Sequence, residues 1–407
     1  MNRKTTSWIL WIVVAMAFIA TALSFLDRQV LSISIIQIKE DFHITDGQYG
    51  WINTCFLISY AIMFTVGGIL IDRFGSRIGL AWSVGVWSLS TVLHSAAQNA
   101  AHFGVCRFVL GLGEGGAFPG VIKAVSEWVP KKWQASANGI VIGGSALGAV
   151  IAPPLCVWLI SLYGWKGVFI VTGLIGLVWT VLWLLLPKPP VVEAAPSKST
   201  NWKELGGLLK IKDVWVFIAM RFMLDPIFYF YMFWIPKYLN EARGADLARI
   251  GDLFWIPFLA LGISNMLGGW VSDKILKKTG NINFSRKVVM GVAALLTAAV
   301  LPIKLTGSVE ASIVLMVIAF FAHGLWITNY ITAIGDIFGK SRTSTIVGFS
   351  GSAGALSSLI INPFMGVIIA KYSYDPMWIY AGIMYSVAFI VFVVLIPKIK
   401  ARNLVIS

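Results

Sequence analysis

Gly68-Ile-Leu-Ile-Asp72-Arg73-Phe-Gly75-Ser-Arg77 is a short polar interruption between two long apolar runs. Its opening returns in the second half of the chain as Gly269-Trp-Val-Ser-Asp273-Lys274, again at the end of an apolar run. Other pairs keep step with it. Glu127 and Lys131 are matched by Asp336 and Lys340, and Pro154 is matched by Pro363. The chain therefore reads as two related halves, each built from apolar segments.

The composition says what surrounds those segments. Of 407 residues, 58% are hydrophobic and 12% charged, against roughly 25% charged in soluble domains. A soluble chain this apolar would expose large aggregating patches. A bilayer removes that problem because it is itself apolar. Twelve stretches, 8–38, 48–71, 78–97, 103–126, 136–161, 166–186, 214–239, 250–272, 287–305, 311–335, 344–370 and 377–397, are near or above the ~20 residues a spanning helix needs. Barrel strands would be shorter and alternating. The expected fold is all-α and integral to the membrane, with twelve helices in two pseudo-symmetric six-helix bundles. The longest polar break, Pro187–Asp213, is rich in Pro, Lys and Ser and cannot pack a core. It sets the expected division: a bundle over 1–187, a cytoplasmic linker over 188–213 and a second bundle over 214–407. Within that break, Trp202–Leu209 has the pattern of a short interfacial helix.

Orientation follows from Lys and Arg, which collect in cytoplasmic loops. With the N-terminus inside, 21 of them fall in inner segments, 7 in outer segments and 4 within spans. Both termini are thus expected in the cytoplasm. The net charge of +14 is read as loop charge on a membrane protein rather than as a nucleic-acid surface. Met1–Thr6 is a short basic start, and the apolar run after it is too long for a cleaved signal, so it is expected to remain as the first span. Cys55, Cys106 and Cys156 all lie in apolar runs and carry no disulfide or metal spacing.

Gly68-x-Leu-x-Asp72-Arg73-x-Gly75-x-Arg77, lying between the second and third spans, resembles the loop signature of the major facilitator superfamily. Leu26-Asp27-Arg28-Gln-Val-Leu-Ser32 and Arg107-Phe-Val-Leu-Gly-Leu-Gly-Glu114-Gly-Gly-Ala-Phe-Pro119 look like its anion:cation symporter family. Ile122–Lys132, Asp225-Pro226, Phe233–Leu239, Trp255–Phe258 and Ala322–Asn329 are similar to the hexuronate-transporter branch. The resemblance covers nearly the whole chain. One departure stands out: where the family commonly has Tyr two residues before the span-one Asp, this chain has Phe25, and a hydroxyl suited to a sugar acid is missing.

Ionisable groups within a membrane are costly, and their default reading is functional. The spans hold Asp27, Arg28, Arg107, Glu114, Lys123, Arg221, Asp225 and His323. Asp27 and Arg28 are adjacent and diverge by about 100° around the helix. A guanidinium keeps its charge and forks onto a carboxylate, so Arg28 is either an anion binder or a structural partner of Glu114 or Asp27; the resemblance favours anion binding. Glu114 sits in the Gly-rich stretch Gly111–Gly120, an apolar place suited to a carboxylate that takes and releases a proton. The resemblance implies that Asp27 and Glu114 are the proton-coupling carboxylates. Arg107, two turns before Glu114, either neutralises it or pairs with a carboxylate in one state and releases it in another. Tyr60 matches a family position that contacts substrate, or is an ordinary interface aromatic. His323, Trp326 and Asn329 recur at i, i+3 and i+6 on one face, groups that can stack on or hydrogen-bond a sugar. Arg221 and Asp225 are an i, i+4 pair, read mainly as a salt bridge and secondarily as a gate near the Asp225-Pro226 break. Asp72, Arg73, Arg77 and Asp273 are expected at gates near the cytoplasmic ends. Lys123 is expected to snorkel to the interface.

These readings converge on a proton-coupled symporter importing an organic anion, a hexuronate or related sugar acid, by alternating access. It would act as a monomer in a bacterial inner membrane, with the proton gradient as driving force and no cofactor or metal. An exchanger of organic anions is the alternative. An enzyme or sensor is disfavoured, because no nucleotide loop or soluble signalling domain is visible in the sequence.

Overall fold

A computed structural model describes residues 3–187 and 202–400, and every regular element among them is helical. Thirteen α-helices follow one another: α1 Arg3–Phe42, α2 Asp46–His94, α3 Ala100–Gly115, α4 Ala117–Trp128, α5 Lys131–Leu185, α6 Trp202–Leu209, α7 Lys212–Arg243, α8 Leu247–Leu253, α9 Trp255–Thr279, α10 Ile282–Thr297, α11 Val309–Phe338, α12 Lys340–Tyr372 and α13 Asp375–Leu395, with a 3-10 helix over Ala298–Leu305. Nine helical segments among the described residues are long and apolar enough to cross a membrane.

The expected spans two and three are two limbs of α2 joined at Gly75, where φ is 78°. Spans five and six are likewise two limbs of α5 joined at Gly164, φ 66°. A side chain at positive φ costs roughly 1–2 kcal/mol, and glycine lets one residue serve as the turn where a loop was expected. The fourth span is interrupted: α3 ends at Gly115 and α4 begins at Ala117. Polar side chains mark several starts. Thr45 and Gln48 form a capping box at α2, and Asn99, Asn281 and Ser308 cap α3, α10 and α11, each satisfying a backbone N–H that the helix leaves open.

By backbone proximity the described residues form two compact units. Unit 1 comprises those of Met1–Glu193, Met232–Trp255 and Asn362–Val367; unit 2 comprises those of Ala194–Tyr231, Ile256–Ile361 and Ile368–Ser407. In unit 1, α1 lies against α5, and α2 against α3. Buried polar side chains fasten the first pair: Thr21 Oγ1 donates to Val141 O at 2.6 Å, Gln29 Nε2 to Ala149 O at 3.1 Å, and Trp179 Nε1 to Met16 O at 2.9 Å. The α2–α3 contact is closer still. A Cβ on Gly113 would lie 2.6 Å from Trp87 N and 2.8 Å from Ser83 O, so only glycine permits this approach. Glu114, its neighbour, is thereby carried into the interior.

The repeated motif takes different forms in the two units. In unit 1, Glu127 of α4 accepts from Ser76 Oγ at 2.6 Å and from Ser76 N at 3.3 Å, capping the second limb of α2. Arg77 donates to Leu184 O, and Arg73 lies over the Phe74 ring. The side chain of Asp72 lies outside the described residues. In unit 2, Arg286 of α10 is the hub: it pairs with Asp336 at 2.9 Å and Asp273 at 3.1 Å, and donates to Ser272 Oγ at 2.6 Å.

Candidate functional site

The polar centre of unit 1 is built on α1. Arg28 Nε meets Glu114 Oε2 at 2.5 Å, and Ser24 Oγ donates to the same oxygen at 3.1 Å. Both ionic side chains are withdrawn from solvent, 6% and 0% exposed. Three rings surround the guanidinium carbon: Tyr60 at 4.6 Å, Phe25 at 4.8 Å and Phe56 at 5.6 Å from their centroids. Phe25, the departure from the family pattern, thus contributes a π-face to the cation. Tyr60 and Phe56 are one turn apart on α2 and stack on each other at 5.4 Å.

Asp27 turns to the other side of α1. It is 2% exposed. Trp87 on the second limb of α2 and Thr172 on the second limb of α5 present their donors to it, without closing a hydrogen bond of normal geometry to either carboxylate oxygen. Arg107 lies between these groups. Its Nη2 donates to Arg28 O at 3.2 Å, while Nε and Nη1 have no hydrogen-bond partner. It makes no contact with Glu114 of ion-pair length. The unit therefore brings together Arg28, Glu114 and Tyr60 directly, and places Asp27 and Arg107 beside them with unspent polar atoms.

Unit 2 has a second polar cluster. Arg221 and Asp225, one turn apart on α7, are paired at 2.7 Å. Asp225 tucks against α12 at Gly354, where a Cβ would fall 1.9 Å from its Oδ2. His323 shares a 2.5 Å hydrogen bond with Tyr385 OH and stacks on Phe228 at 4.9 Å. Trp326 meets Tyr385 edge-on at 5.5 Å. Asn329 is spent mainly on packing: its Nδ2 donates to Gly268 O at 3.1 Å and Leu325 O at 3.0 Å, tying α11 to α9, while its Oδ1 has no partner. His323, Trp326 and Asn329 thus occupy one helix face, with His323 the less buried and Trp326 and Asn329 at 2% and 1% exposure.

Sequence reasoning missed several of these partners. Tyr385 and Phe228 are single residues in apolar runs and carry no motif; the hydroxyl of Tyr385 within a span was the one available signal. Lys237, a basic residue near the end of the span over 214–239, lies within α7 and is 2% exposed. In unit 1 it pairs with Asp46 at 2.7 Å and also with Glu241, while Lys39 reaches Glu241 at 2.5 Å and Asp46 at 3.4 Å. Beside this ring, Tyr49 OH donates to Phe233 O at 2.6 Å, and Asn362 links Trp234 Nε1 to Gly50 O, each at 3.2 Å.

Long apolar helices enclosing a few paired charges define a polytopic membrane carrier. The profile of the Major Facilitator Superfamily matches residues 17–360, with a second match over 244–405, and the chain belongs to that superfamily. It is a membrane transporter and not an enzyme. Among similar proteins, the hexuronate transporter of Escherichia coli strain K12 is 28% identical over 386 residues, covering 90% of this chain and 89% of that one. A probable sulfoacetate transporter of Cupriavidus necator is 30% identical over 409 residues, covering 94% and 92%. The crystal structure of a D-xylose–proton symporter has the same fold, with a TM-score of 0.77 at 14% identity, over 96% of this chain and 99% of that one.

Proposed function

We propose that the chain imports a sugar acid, a hexuronate in the first instance, together with protons, by alternating access. The observation that carries this reading is the buried Arg28–Glu114 pair. In the empty carrier the two charges compensate each other. When Glu114 takes a proton, Arg28 loses that counter-ion, and removing one charge of a buried pair is strongly unfavourable. The substrate carboxylate then replaces Glu114 as counter-ion. Proton and anion therefore bind as a set, and both the empty and the loaded centre stay near neutral. Asp27 is the second proton-carrying group. The His323–Tyr385 pair and Trp326 are proposed to meet the sugar hydroxyls and ring face.

The relatives' names support an acid as cargo, since hexuronate and sulfoacetate both carry an anionic group. An anion entering a negative interior is opposed by about 2.3 kcal/mol per charge per 100 mV, and coupling to a proton cancels that term for a monoanion. The asymmetry of Lys and Arg supports placing both termini in the cytoplasm of a bacterium, with the protein in the inner membrane as a monomer. The two bundles of this carrier span 1–187 and 214–407.

Radiolabelled glucuronate and galacturonate uptake into proteoliposomes, with and without an imposed pH gradient, tests this. Accumulation driven by the gradient is expected. Uptake that ignores the gradient but requires anion inside the vesicle would identify an exchanger instead.

A further inference from the structure

The second limb of α2 carries a polar stripe that the anion site does not use. Ser83, Trp87, Ser90, Thr91 and His94 recur at i, i+4, i+7, i+8 and i+11, the spacing of one helix face, and each is at most 1% exposed. Ser90 and Thr91 spend their hydroxyls on the carbonyls of Cys106 and Trp87. Ser83 Oγ, Trp87 Nε1 and His94 Nε2 have no partner. Buried polar atoms are nearly always satisfied by protein or by ordered water, and internal water takes up sites of this kind. The open Nε2 of His94 and Nε1 of Trp87, with the hydroxyls of Ser90 and Thr91 between them, mark a polar path along this face.

The path has two ends. His94 is the last residue of α2, followed by the cap residue Ser95, so the limb from Gly75 separates it from the basic loop by about 28 Å at 1.5 Å per residue. Its Nδ1 lies 2.7 Å from Ser90 O. A carbonyl can only accept, so Nδ1 carries the hydrogen and Nε2 is the open acceptor of the neutral ring. About 10 Å further in, Trp87 Nε1 and Thr172 Oγ1 turn to Asp27, and none of these atoms closes a hydrogen bond. Phe169, one turn from Thr172 on α5, stacks on the His94 ring at 4.9 Å and 2°. Both ends are thus spanned by the same two helix limbs. The charged groups facing His94 and the path are Arg107 and Glu114 from α3 and Asp27 from α1. The facing limb of α5 adds Phe169, Thr172 and Trp165, the last held by Asp41 of α1 at 2.7 Å.

We propose that His94 is the outermost buried relay of a proton route along this face of α2 to Asp27, running on the other side of α1 from the one where Arg28 and Glu114 receive the anion. This rests on the reading of Asp27 as a proton-carrying group and of the His94 end as the outer one. A proton taken at Nε2 makes the imidazolium. Passing through bridging water to a carboxylate oxygen of Asp27, it restores the neutral ring and leaves a carboxylic acid. Arg107, with two unspent guanidinium nitrogens beside the path, keeps a cation close by and discourages a second proton from following the first.

The test is time-resolved infrared spectroscopy of the full-length protein in proteoliposomes after flash release of a caged proton. The carbonyl stretch of protonated Asp27 is identified as the band missing from Asp27→Asn. His94→Phe preserves the ring volume and the stacking on Phe169 but holds no proton. It is expected to slow the rise of that band roughly 100-fold, the effect of removing a positioned proton-transfer group, with the same final amplitude. Thr172→Val, an isosteric loss of the open hydroxyl, is expected to slow it to a lesser degree. If His94→Phe does not fold, His94→Gln is expected to show the same slowing. An unchanged rate in the His94 and Thr172 variants overturns the route and leaves the coupling role of Asp27 standing. Absence of any Asp27 band in the parent overturns that role, and the route with it.

Discussion

Glu114→Gln replaces a carboxylate by a neutral amide of the same shape and so imitates the protonated acid. Its size of effect follows from the bonds it alters. Glu114 Oε2 accepts from Arg28 Nε at 2.5 Å and from Ser24 Oγ at 3.1 Å, and only the first is an ion pair. A hydrogen bond between charged groups contributes about 1.5–3 kcal/mol, against about 0.5–1.5 for neutral partners. In the variant, Arg28 is released from an ionic competitor at a cost the substrate no longer bears, about 1.5–3 kcal/mol. That is roughly 10- to 100-fold in affinity, since 1.4 kcal/mol is tenfold. In the parent, anion binding takes up a proton, so affinity falls as pH rises, by at most about tenfold per unit for one linked proton. Equilibrium binding of glucuronate to purified protein across a pH titration should show this slope in the parent and a shallower, tighter curve in the variant. In vesicles the variant should lose gradient-driven accumulation and keep counterflow exchange. If Glu114→Gln still accumulates substrate against a gradient, or binds it with the pH slope of the parent, Glu114 is not the group that couples proton to anion.

Arg28→Lys removes the planar fork and its contact with three rings, and should weaken glucuronate binding by about 1.5–3 kcal/mol, or roughly 10- to 100-fold; an unchanged half-saturation in counterflow would remove the carboxylate from Arg28. Gly113→Ala drives a methyl group to within 2.6 Å of the Trp87 backbone nitrogen, and an overpacking cost of about 1–3 kcal/mol should appear as a lower melting temperature in detergent; equal melting would mean that α3 has room to retreat. Tyr385→Phe deletes the hydrogen bond to His323, a change of about 0.5–1.5 kcal/mol, and should reduce the preference for a polyhydroxy acid over a small acid without hydroxyls. The same preference in the variant would assign the pair to packing. Lys237→Met takes the buried cation away from Asp46 and Glu241, and a loss of about 1–3 kcal/mol should likewise lower the melting temperature, an effect that high salt should not reproduce in the parent because Lys237 is buried.

The sequence made the membrane setting and the repeat legible because both depend on apolar length and spacing, which the chain displays directly. The turns were less legible. A loop was expected around Gly75, but a glycine at positive φ suffices, and nothing in the composition distinguishes the two. For the site, residues that are improbable in lipid announced themselves: Asp27, Arg28, Arg107 and Glu114 could be picked out singly. Their partners could not. Pairing depends on which faces meet, and the closeness of α2 and α3 at Gly113 is what brings Glu114 to Arg28. Lys237 is a further case of a partner that sequence alone does not show. A basic residue near the end of a span looks like a loop charge until the carboxylates of Asp46 and Glu241 are seen beside it. Asn329 shows the converse, a polar residue on a promising face whose amide is largely spent on neighbouring backbone.

Two readings of Arg28 stood open in the sequence, an anion binder and a structural partner of a carboxylate. On the proposed mechanism they are successive states of one group. The geometry of α1 makes this economical. Consecutive residues diverge by about 100°, so Arg28 faces the first limb of α2 and α3, where Tyr60, Phe56 and Glu114 lie. Asp27 faces the second limb of α2 and α5, where Trp87 and Thr172 lie. One turn of one helix thus presents a fixed cation to one side and a titratable carboxylate to the other. Arg107 holds the carbonyl of Arg28 itself and sits within the field of Asp27. A change of charge at Asp27 alters what Arg107 is drawn towards, and any movement of Arg107 tugs on the backbone that carries Arg28. Proton and anion can therefore be linked through α1 without sharing a binding pocket.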